Sequence, residues 1–175
     1  MIPIVSFIGY SNSGKTTMVV ETVAELKKRG YRVAVLKHTG IDTNFDTENK
    51  DTWRFTQAGA EISAIASSGK MAVFKDIGPD FGPEEFAAML PEGYDILITE
   101  GYKNSTFLKI EVHGPAQDNT LIGAPGKLLA VVSDGPLLTK APLIKTHQRD
   151  QIANILEELI QPDRRTQNTN KSRMT

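Results

Sequence analysis

The chain has 175 residues, 39% of them hydrophobic, and a formal net charge of -1 at pH 7. This length is sufficient for one hydrophobic core, and the lack of cysteine excludes disulfides, thiolate metal sites and cysteine nucleophiles. No apolar run approaches the roughly 20 residues that a membrane-spanning helix needs, so we expect no membrane segment and predict a cytoplasmic protein.

Charge divides the chain into an acidic body and a basic end. Residues 162–175 carry four basic residues against one acidic residue and lack hydrophobic periodicity, so they predict a disordered tail. Binding of an acidic partner is the alternative role for this tail. One domain is expected over residues 1–161, and its acidic composition argues against a nucleic-acid surface.

Apolar runs rich in β-formers alternate with amphipathic runs along the chain. This order predicts an α/β fold with a mostly parallel central sheet and helices on both faces. The predicted strands are residues 2–9, 31–40, 61–67, 70–76, 94–102, 108–114 and 128–134, some of the middle ones pairing as antiparallel hairpins. The predicted helices are residues 16–30, a short one at 51–60, and a closing helix that ends before Pro162.

The stretch "FIGYSNSGKTT", residues 7–17, joins the first strand to the first helix. Its spacing, with Gly9, then Gly14, Lys15 and Thr16, is that of a P-loop. In such a loop consecutive backbone amides surround a phosphate, the lysine reaches the β- and γ-phosphates, and the hydroxyl serves Mg²⁺. The pattern therefore predicts a nucleoside-triphosphate site in a P-loop NTPase fold.

A P-loop also needs an acidic residue near Mg²⁺. Glu100 is the better candidate because it ends its strand, and parallel sheets bind ligands at the carboxyl ends of their strands. Asp95 opens the same strand and is expected at its edge or in a cap. Gly101, directly after Glu100, either leaves room for phosphate or belongs to an ordinary turn.

The polar segment 36–60 begins beside the P-loop. It could close over the γ-phosphate as a switch, or it could be a solvated loop. His38, taken alone, is more typical of a hydrogen-bonded histidine at a strand end than of a ligand.

Three stretches in this order, "GYSNSGKTT", "LKHTG...KDTWRFTQAGA" and "DILITEGYKNSTFLKIEV", resemble the molybdopterin-guanine dinucleotide biosynthesis adaptor family, MobB. The resemblance covers about residues 2–160. It implies a dimeric GTP-binding protein that hydrolyses GTP weakly. It also implies a role in assisting the guanylyltransferase that attaches GMP to the molybdopterin cofactor, with GTP and Mg²⁺ as the bound cofactors.

The resemblance also assigns roles by position. Thr16 and Glu100 would form the Mg²⁺ environment and, with Lys15, the catalytic group. Asp134, which ends a late strand, is a candidate for contacting guanine, and an ordinary turn aspartate is the alternative. Phosphate binding falls to Gly9, Ser11, Asn12, Ser13, Gly14, Lys15, Thr16 and Thr17, and the switch to Lys37, His38, Thr39, Lys50 and Asp51.

The chain departs from the family pattern at several positions. Gly40 and Ile41 stand where many relatives have a further histidine, which puts any anion or metal role of that cluster in doubt. Asn49 stands where glycine is frequent, and His113 stands where arginine is expected.

Two alternative functions remain. A small-molecule P-loop kinase would need an acceptor pocket and a lid with arginines, and the few arginines of the body weaken that reading. A GTPase that inserts metal into another protein is disfavoured by three histidines and no cysteine. Because no residue stands out as a base for water, slow hydrolysis is expected.

Overall fold

The computed structural model describes residues 2–40, 43–114 and 120–161. The described residues form two compact units, one made of those up to His38 together with those from Pro83 onward, and the other of those between Thr39 and Gly82. Each unit contains its own sheet. The predicted tail, residues 162–175, lies outside the described residues, and the expectation of one domain over residues 1–161 stays a prediction.

The first unit is built on a six-stranded parallel sheet in the order β2-β5-β1-β6-β7-β8. Its strands are β1 (Ile4–Ile8), β2 (Val33–Lys37), β5 (Ile96–Glu100), β6 (Leu108–Val112), β7 (Leu128–Val132) and β8 (Leu143–Ile144). Its α-helices are α1 (Lys15–Lys28), α3 (Pro83–Met89) and α4 (Arg149–Ile160). This arrangement confirms the predicted α/β class.

Helices α1 and α4 pack against each other and cover one face of this sheet. Helix α1 forms because Met18, Val19, Thr22 and Leu26 recur on one buried stripe. It ends at the basic residues Lys27 and Lys28, before Gly30 at φ 90°. The strands supply Val5, Phe7, Ile96, Ile98, Ile110, Val112, Ala130 and Val132 to the same core.

The opposite face of the sheet is also buried but partly polar. The hydroxyl of Thr99 donates to that of Ser6 at 2.8 Å, which pairs the two groups inside. Glu111 is 1% exposed, and its carboxylate accepts the backbone N–H groups of Ile122 and Gly123 at 2.9–3.2 Å. These bonds hold the chain before β7 over this face, because a buried carboxylate without donors would be costly.

The second unit contains α2 (Asp51–Gln57) and the strands β3 (Ile62–Ala66) and β4 (Met71–Lys75). The two strands pair antiparallel with Ala64 opposite Val73, which confirms the expectation of a hairpin in the middle of the chain. Helix α2 packs against β3.

Three elements were not predicted from the sequence: α3, the two-residue strand β8 and a 3₁₀ helix at Pro125–Lys127. Helix α3 begins with Pro83 followed by two glutamates, which are ordinary signals of a helix start. Within the described residues no helix combines the length and apolar character that would let it cross a bilayer.

Candidate functional site

The turn between β1 and α1 has three residues in the left-handed region of backbone conformation. These are Gly9 at φ 146°, Asn12 at φ 61° and Gly14 at φ 94°. Left-handed residues within a turn are typical of the backbone nests in which successive N–H groups bind an anion. The first helical bond runs from the N–H of Met18 to the carbonyl of Gly14 at 3.0 Å. The N–H of Ser13 donates to the carbonyl of Tyr10 at 3.3 Å within the turn, and the amides that follow it belong to the positive end of α1.

Lys15 folds back over this turn. Its Nζ donates to the carbonyl oxygen of Tyr10 at 2.5 Å, and no acidic residue lies in the first turn of α1. Partial burial lowers the pKa of Lys15, with Lys37 acting in the same direction and Glu100 opposing it. Lys15 therefore places a poorly solvated positive charge at this helix end, and a bound anion would stabilise that charge.

The end of β6 forms the wall behind the turn. A Cβ on Gly9 would overlap the carbonyl oxygen of Val112 and come within 2.7 Å of Ser13 Oγ, and a Cβ on Gly114 would lie 3.1 Å from Ser13 Cα. Between Val112 and Gly114, His113 is 6% exposed, and its Nε2 has no hydrogen-bond partner in the described part of the chain. The turn therefore packs on the β6 backbone, with no space for a side chain at position 9.

Glu100 lies directly opposite the start of α1. The hydroxyl of Thr16 donates to its two carboxylate oxygens at 3.0 and 2.9 Å, and Lys37 Nζ lies 3.3 Å from Oε1. Glu100 side-chain exposure is only 11%. Because β2, β5 and β1 are neighbours in a parallel sheet, these three side chains meet at its carboxyl edge, where a ligand is expected.

The Thr16 and Glu100 pair fits Mg²⁺. A hydroxyl and a carboxylate are the hard oxygen ligands that this ion takes, usually beside water and phosphate oxygens. The two groups already converge within 3.0 Å, so one ion could contact both. Bound Mg²⁺ would supply positive charge to the phosphate oxygens.

His38 is held beside Glu100 by its backbone and its ring. Its N–H donates to the carbonyl of Glu100 at 2.9 Å, and its ring centroid lies 4.6 Å from that of Tyr102. Gly101 makes this possible: it has φ 104°, and a Cβ there would approach His38 Cβ at 3.2 Å. Tyr102 also has a positive φ, 53°, which is rare for a bulky residue and is typical of functional sites.

Asp134 is exposed at the end of β7, and Thr146 follows β8. Asp134 Oδ1 accepts a hydrogen bond from the N–H of Thr146 at 3.0 Å, and Asp134 Oδ2 accepts one from the hydroxyl of Thr146 at 2.8 Å. These two bonds lower the pKa of Asp134, with smaller contributions in the same direction from Lys145 and His147.

The other assigned switch residues, Thr39, Lys50 and Asp51, belong to the second unit. Lys50 occupies the N-cap of α2 and Asp51 its first turn, where a carboxylate favours the helix dipole. Asn49 has φ 65°, a conformation that asparagine tolerates better than most residues other than glycine. This explains how asparagine can stand at a position where glycine is frequent.

Sequence reasoning missed two of the contacts at this edge. The carbonyl of Tyr10 as the acceptor for Lys15 and the ring of Tyr102 beside His38 depend on tertiary geometry. Tyr102 directly follows the Glu100-Gly101 pair, but a positive φ at a tyrosine has no signature in the sequence.

Replacing Glu100 with glutamine is expected to raise the Mg²⁺ concentration needed for half-maximal GTP binding about tenfold or more. The reason is that the side chain at position 100 loses the negative charge that would attract the metal ion. In EDTA the variant should bind GTP at least as tightly as the parent, since one negative charge near the phosphates is gone. Isothermal calorimetry at several Mg²⁺ concentrations measures both effects.

Asp95→Asn is the matched control. Asp95 opens the same strand at the opposite edge of the sheet, where its Oδ2 accepts the N–H of Arg32 at 2.6 Å. An unchanged Mg²⁺ dependence in Glu100→Gln, or an equal shift in Asp95→Asn, would contradict the assignment.

The chain is similar to proteins of one known family. A family model described as "Molybdopterin guanine dinucleotide synthesis protein B", MobB, matches residues 4–134. The molybdopterin-guanine dinucleotide biosynthesis adapter protein of Haemophilus influenzae is 31% identical over 89% of this chain and 88% of its own length. The protein of the same name from Escherichia coli is 28% identical over 92% of this chain and 95% of its own length.

Solved structures show the same fold. A crystal structure of molybdopterin-guanine biosynthesis protein B superimposes with a TM-score of 0.70 at 28% identity, covering 90% of this chain and 99% of that one. The crystal structure of Bacillus subtilis MobB gives a TM-score of 0.72 at 24% identity, over 90% and 98% of the two chains. These likenesses confirm the P-loop α/β class predicted from the sequence.

Proposed function

Because the chain belongs to the MobB family, we propose that it is a GTP-binding adaptor with weak GTPase activity in molybdopterin-guanine dinucleotide biosynthesis. Its partner would be the guanylyltransferase that attaches GMP to the molybdopterin cofactor. The observation that carries the proposal is the turn of residues 9–17, with Lys15 folded over it and the Thr16–Glu100 pair beside it. The adapter role is what the printed names of the relatives state; GTP and the guanylyltransferase are our inference.

The chemistry follows from the positions of these groups. The backbone amides and Lys15 would bind the β- and γ-phosphates and stabilise the charge that develops on the transferred phosphoryl group. Thr16 and Glu100 would orient the metal. The Glu100 carboxylate already accepts a hydrogen bond from Thr16 and forms an ion pair with Lys37, so it is poorly suited to deprotonate a water. Slow turnover is therefore expected, as suits a protein whose bound nucleotide sets its affinity for a partner.

The proposal is tested by three measurements on the purified chain. Calorimetric titrations should show binding of GTP with Mg²⁺ and weaker binding of ATP. Single-turnover hydrolysis of GTP should be far slower than the median enzyme rate of about 10 s⁻¹. A pull-down with the guanylyltransferase should depend on which nucleotide is bound. Retention of the guanylyltransferase to the same extent with GTP, with GDP and without nucleotide would overturn the adaptor role.

The same assays separate the two alternatives. A kinase would give a phosphorylated acceptor, and a metal-inserting GTPase would need a site to hold the metal in transit. Within the described residues, no group of three or more His, Asp or Glu side chains is placed to hold a metal ion.

We further propose a homodimer, supported by the hairpin of the second unit. Ile62, Met71 and Val73 lie on one face of that hairpin and are 55%, 70% and 49% exposed. Helix α2 packs against β3, and the apolar face that stays exposed is suited to be buried against a second copy of the chain. Sedimentation equilibrium should give twice the chain mass of 19.2 kDa, whereas a monomer at every concentration would refute the dimer.

A further inference from the structure

A groove lies in the first unit at the edge of the sheet opposite the phosphate turn. It has a volume of about 680 Å³, and Ile2, Pro3, Ala88 and Ile160 form part of its apolar wall. Pro3 directly precedes β1 and Ile160 ends α4, so the groove lies where the parallel strands begin. The phosphate turn lies where those strands end. The groove is therefore separate from the candidate nucleotide site.

The charged lining of this groove is entirely negative. Glu84, Glu92 and Asp95 line it, and no lysine, arginine or histidine is among its lining residues in the described part of the chain. Asp95 Oδ2 accepts the N–H of Arg32 at 2.6 Å. Glu84 and Glu92 are exposed, and neither forms an ion pair with another described residue. An apolar wall edged by such carboxylates suits a cation that has an apolar stem.

The loop between α3 and β5 already binds one guanidinium group. Arg32 Nη1 donates to the carbonyl of Glu92 at 3.2 Å, and the guanidinium carbon lies 4.8 Å from the centroid of the Tyr94 ring. This contact uses a backbone carbonyl and an aromatic ring. The side-chain carboxylates of Glu84 and Glu92 are therefore left for a second cation.

The chain that continues from the groove has the complementary charge. Residues 162–175, which lie outside the described residues, begin two positions after Ile160 and carry four basic residues against one acidic residue. An extended chain covers at most about 3.6 Å per residue, so Arg164 and Arg165 can reach about 14 and 18 Å from Ile160. An arginine stem covers apolar surface while its guanidinium group pairs with a carboxylate.

We propose that this groove is the docking surface for the basic C-terminal segment of the same chain, with Arg164 and Arg165 paired with Glu84 and Glu92. The inference goes beyond the proposed function and does not need a bound nucleotide. The segment of the same chain is favoured over that of a second copy because it starts at the groove wall. A ligand tethered by so few residues has an effective concentration on the order of millimolar.

Disulfide formation between two introduced cysteines tests this contact in the full chain, which has no cysteine of its own. Ala88→Cys places a thiol in the groove, and Thr166→Cys places one directly after the two arginines. The double variant should form a disulfide within one chain at micromolar protein, as measured by mass spectrometry and non-reducing electrophoresis. Asn104→Cys with Thr166→Cys is the control, because Asn104 is exposed after β5 at the other edge of the sheet. Its disulfide should form at least about tenfold more slowly, since only docking holds the segment at the groove.

Charge reversal then identifies the pairing groups. Arg164→Glu with Arg165→Glu should slow the disulfide in the groove about fivefold or more, because each attraction becomes a repulsion. Adding Glu84→Lys and Glu92→Lys to that variant should restore the rate. Reversing Lys171 and Arg173 instead changes the net charge equally but farther along the chain, and it should slow the reaction less than about twofold.

Three results would overturn the proposal. The first is an equal rate with the cysteine at position 104, and the second is a disulfide that forms only between two chains. The third is a rate that charge reversal at Arg164 and Arg165 leaves unchanged. Should Ala88→Cys fail to fold, the cysteine-free chain decides by NMR. Arg164→Glu with Arg165→Glu should then shift the backbone amide signals of Ala88 and Gly93 but not that of Asn104, and unshifted groove signals would likewise refute docking.

Discussion

Replacing Lys15 with alanine is expected to weaken GTP binding by a factor of about 100 or more and to leave the fold intact. Removing one partner of a close charge pair costs about 2–5 kcal/mol in binding, and Lys15 is the cation folded over the phosphate turn. In the free protein its ammonium group bonds only to the carbonyl of Tyr10 among the described residues, so little stability is lost. Calorimetric titration and thermal unfolding measure the two effects separately.

Lys28→Ala is the matched control for this variant. Lys28 lies at the other end of the same helix, its side chain is 76% exposed, and its ion pair with Glu25 spans 3.7 Å. Like Lys15→Ala, Lys28→Ala removes one positive charge from the protein, but it leaves the turn between β1 and α1 unchanged. Retained GTP affinity in Lys15→Ala, or an equal loss in Lys28→Ala, would mean that the phosphates bind elsewhere.

Replacing Gly9 with alanine is expected to destabilise the protein by about 3 kcal/mol and to abolish measurable GTP binding. The new Cβ would overlap the Val112 carbonyl and approach Ser13 Oγ at 2.7 Å. Position 9 also has φ 146°, which side chains rarely adopt. Strain and overpacking each cost about 1–3 kcal/mol. Because the obstacle is backbone rather than a side chain, the turn itself must move.

Substitutions at two other glycines serve as controls that separate backbone strain from steric overlap. Gly30 has a positive φ of 90° but nothing within 4 Å of a built Cβ, whereas Gly126 has open space and no positive φ. Gly30→Ala should therefore cost about 1 kcal/mol and Gly126→Ala almost nothing, with GTP affinity unchanged in both. Chemical denaturation gives the stabilities. A Gly9→Ala protein as stable as Gly126→Ala would contradict the packing described for the turn.

The sequence was sufficient for the strands that carry strong apolar patterns and for the first helix. It failed where an element is short or its pattern is weak. β8 has two residues, and α3 has seven residues with only Pro83 fully buried, so its hydrophobic period is hard to detect. Pro83 and the two glutamates are cues for a helix start, whereas the glycines and prolines around them are typical of loops.

The burial of polar residues on one face of the sheet could not be predicted from local sequence patterns, for a different reason. Lys109 and Glu111 alternate with apolar residues in β6, a pattern typical of a strand with one solvated face. The structure buries both, at 2% and 1% exposure, because loop carbonyls meet Lys109 and loop amides meet Glu111. These partners are backbone groups of neighbouring loops, and hydrophobic periodicity does not predict contacts with loop atoms.

The candidate site divides in the same way. The P-loop motif and the glutamate at a strand end were readable because their chemistry needs fixed residue types at fixed spacing. The Thr16 to Glu100 contact joins residues 84 positions apart, and the parallel pairing of β1 with β5 brings them together. The contact between Asp134 and Thr146 likewise depends on the pairing of β7 with β8, a strand that the sequence did not predict.

The central claim is that residues 9–17 enclose the phosphates of GTP, and a crystal structure with a non-hydrolysable GTP analogue and Mg²⁺ tests it most directly. The account predicts the triphosphate inside this turn, with Lys15 moved from the Tyr10 carbonyl to the phosphates and the metal beside Thr16 and Glu100. An analogue bound at another surface, with the turn empty and Lys15 still on Tyr10, would contradict it.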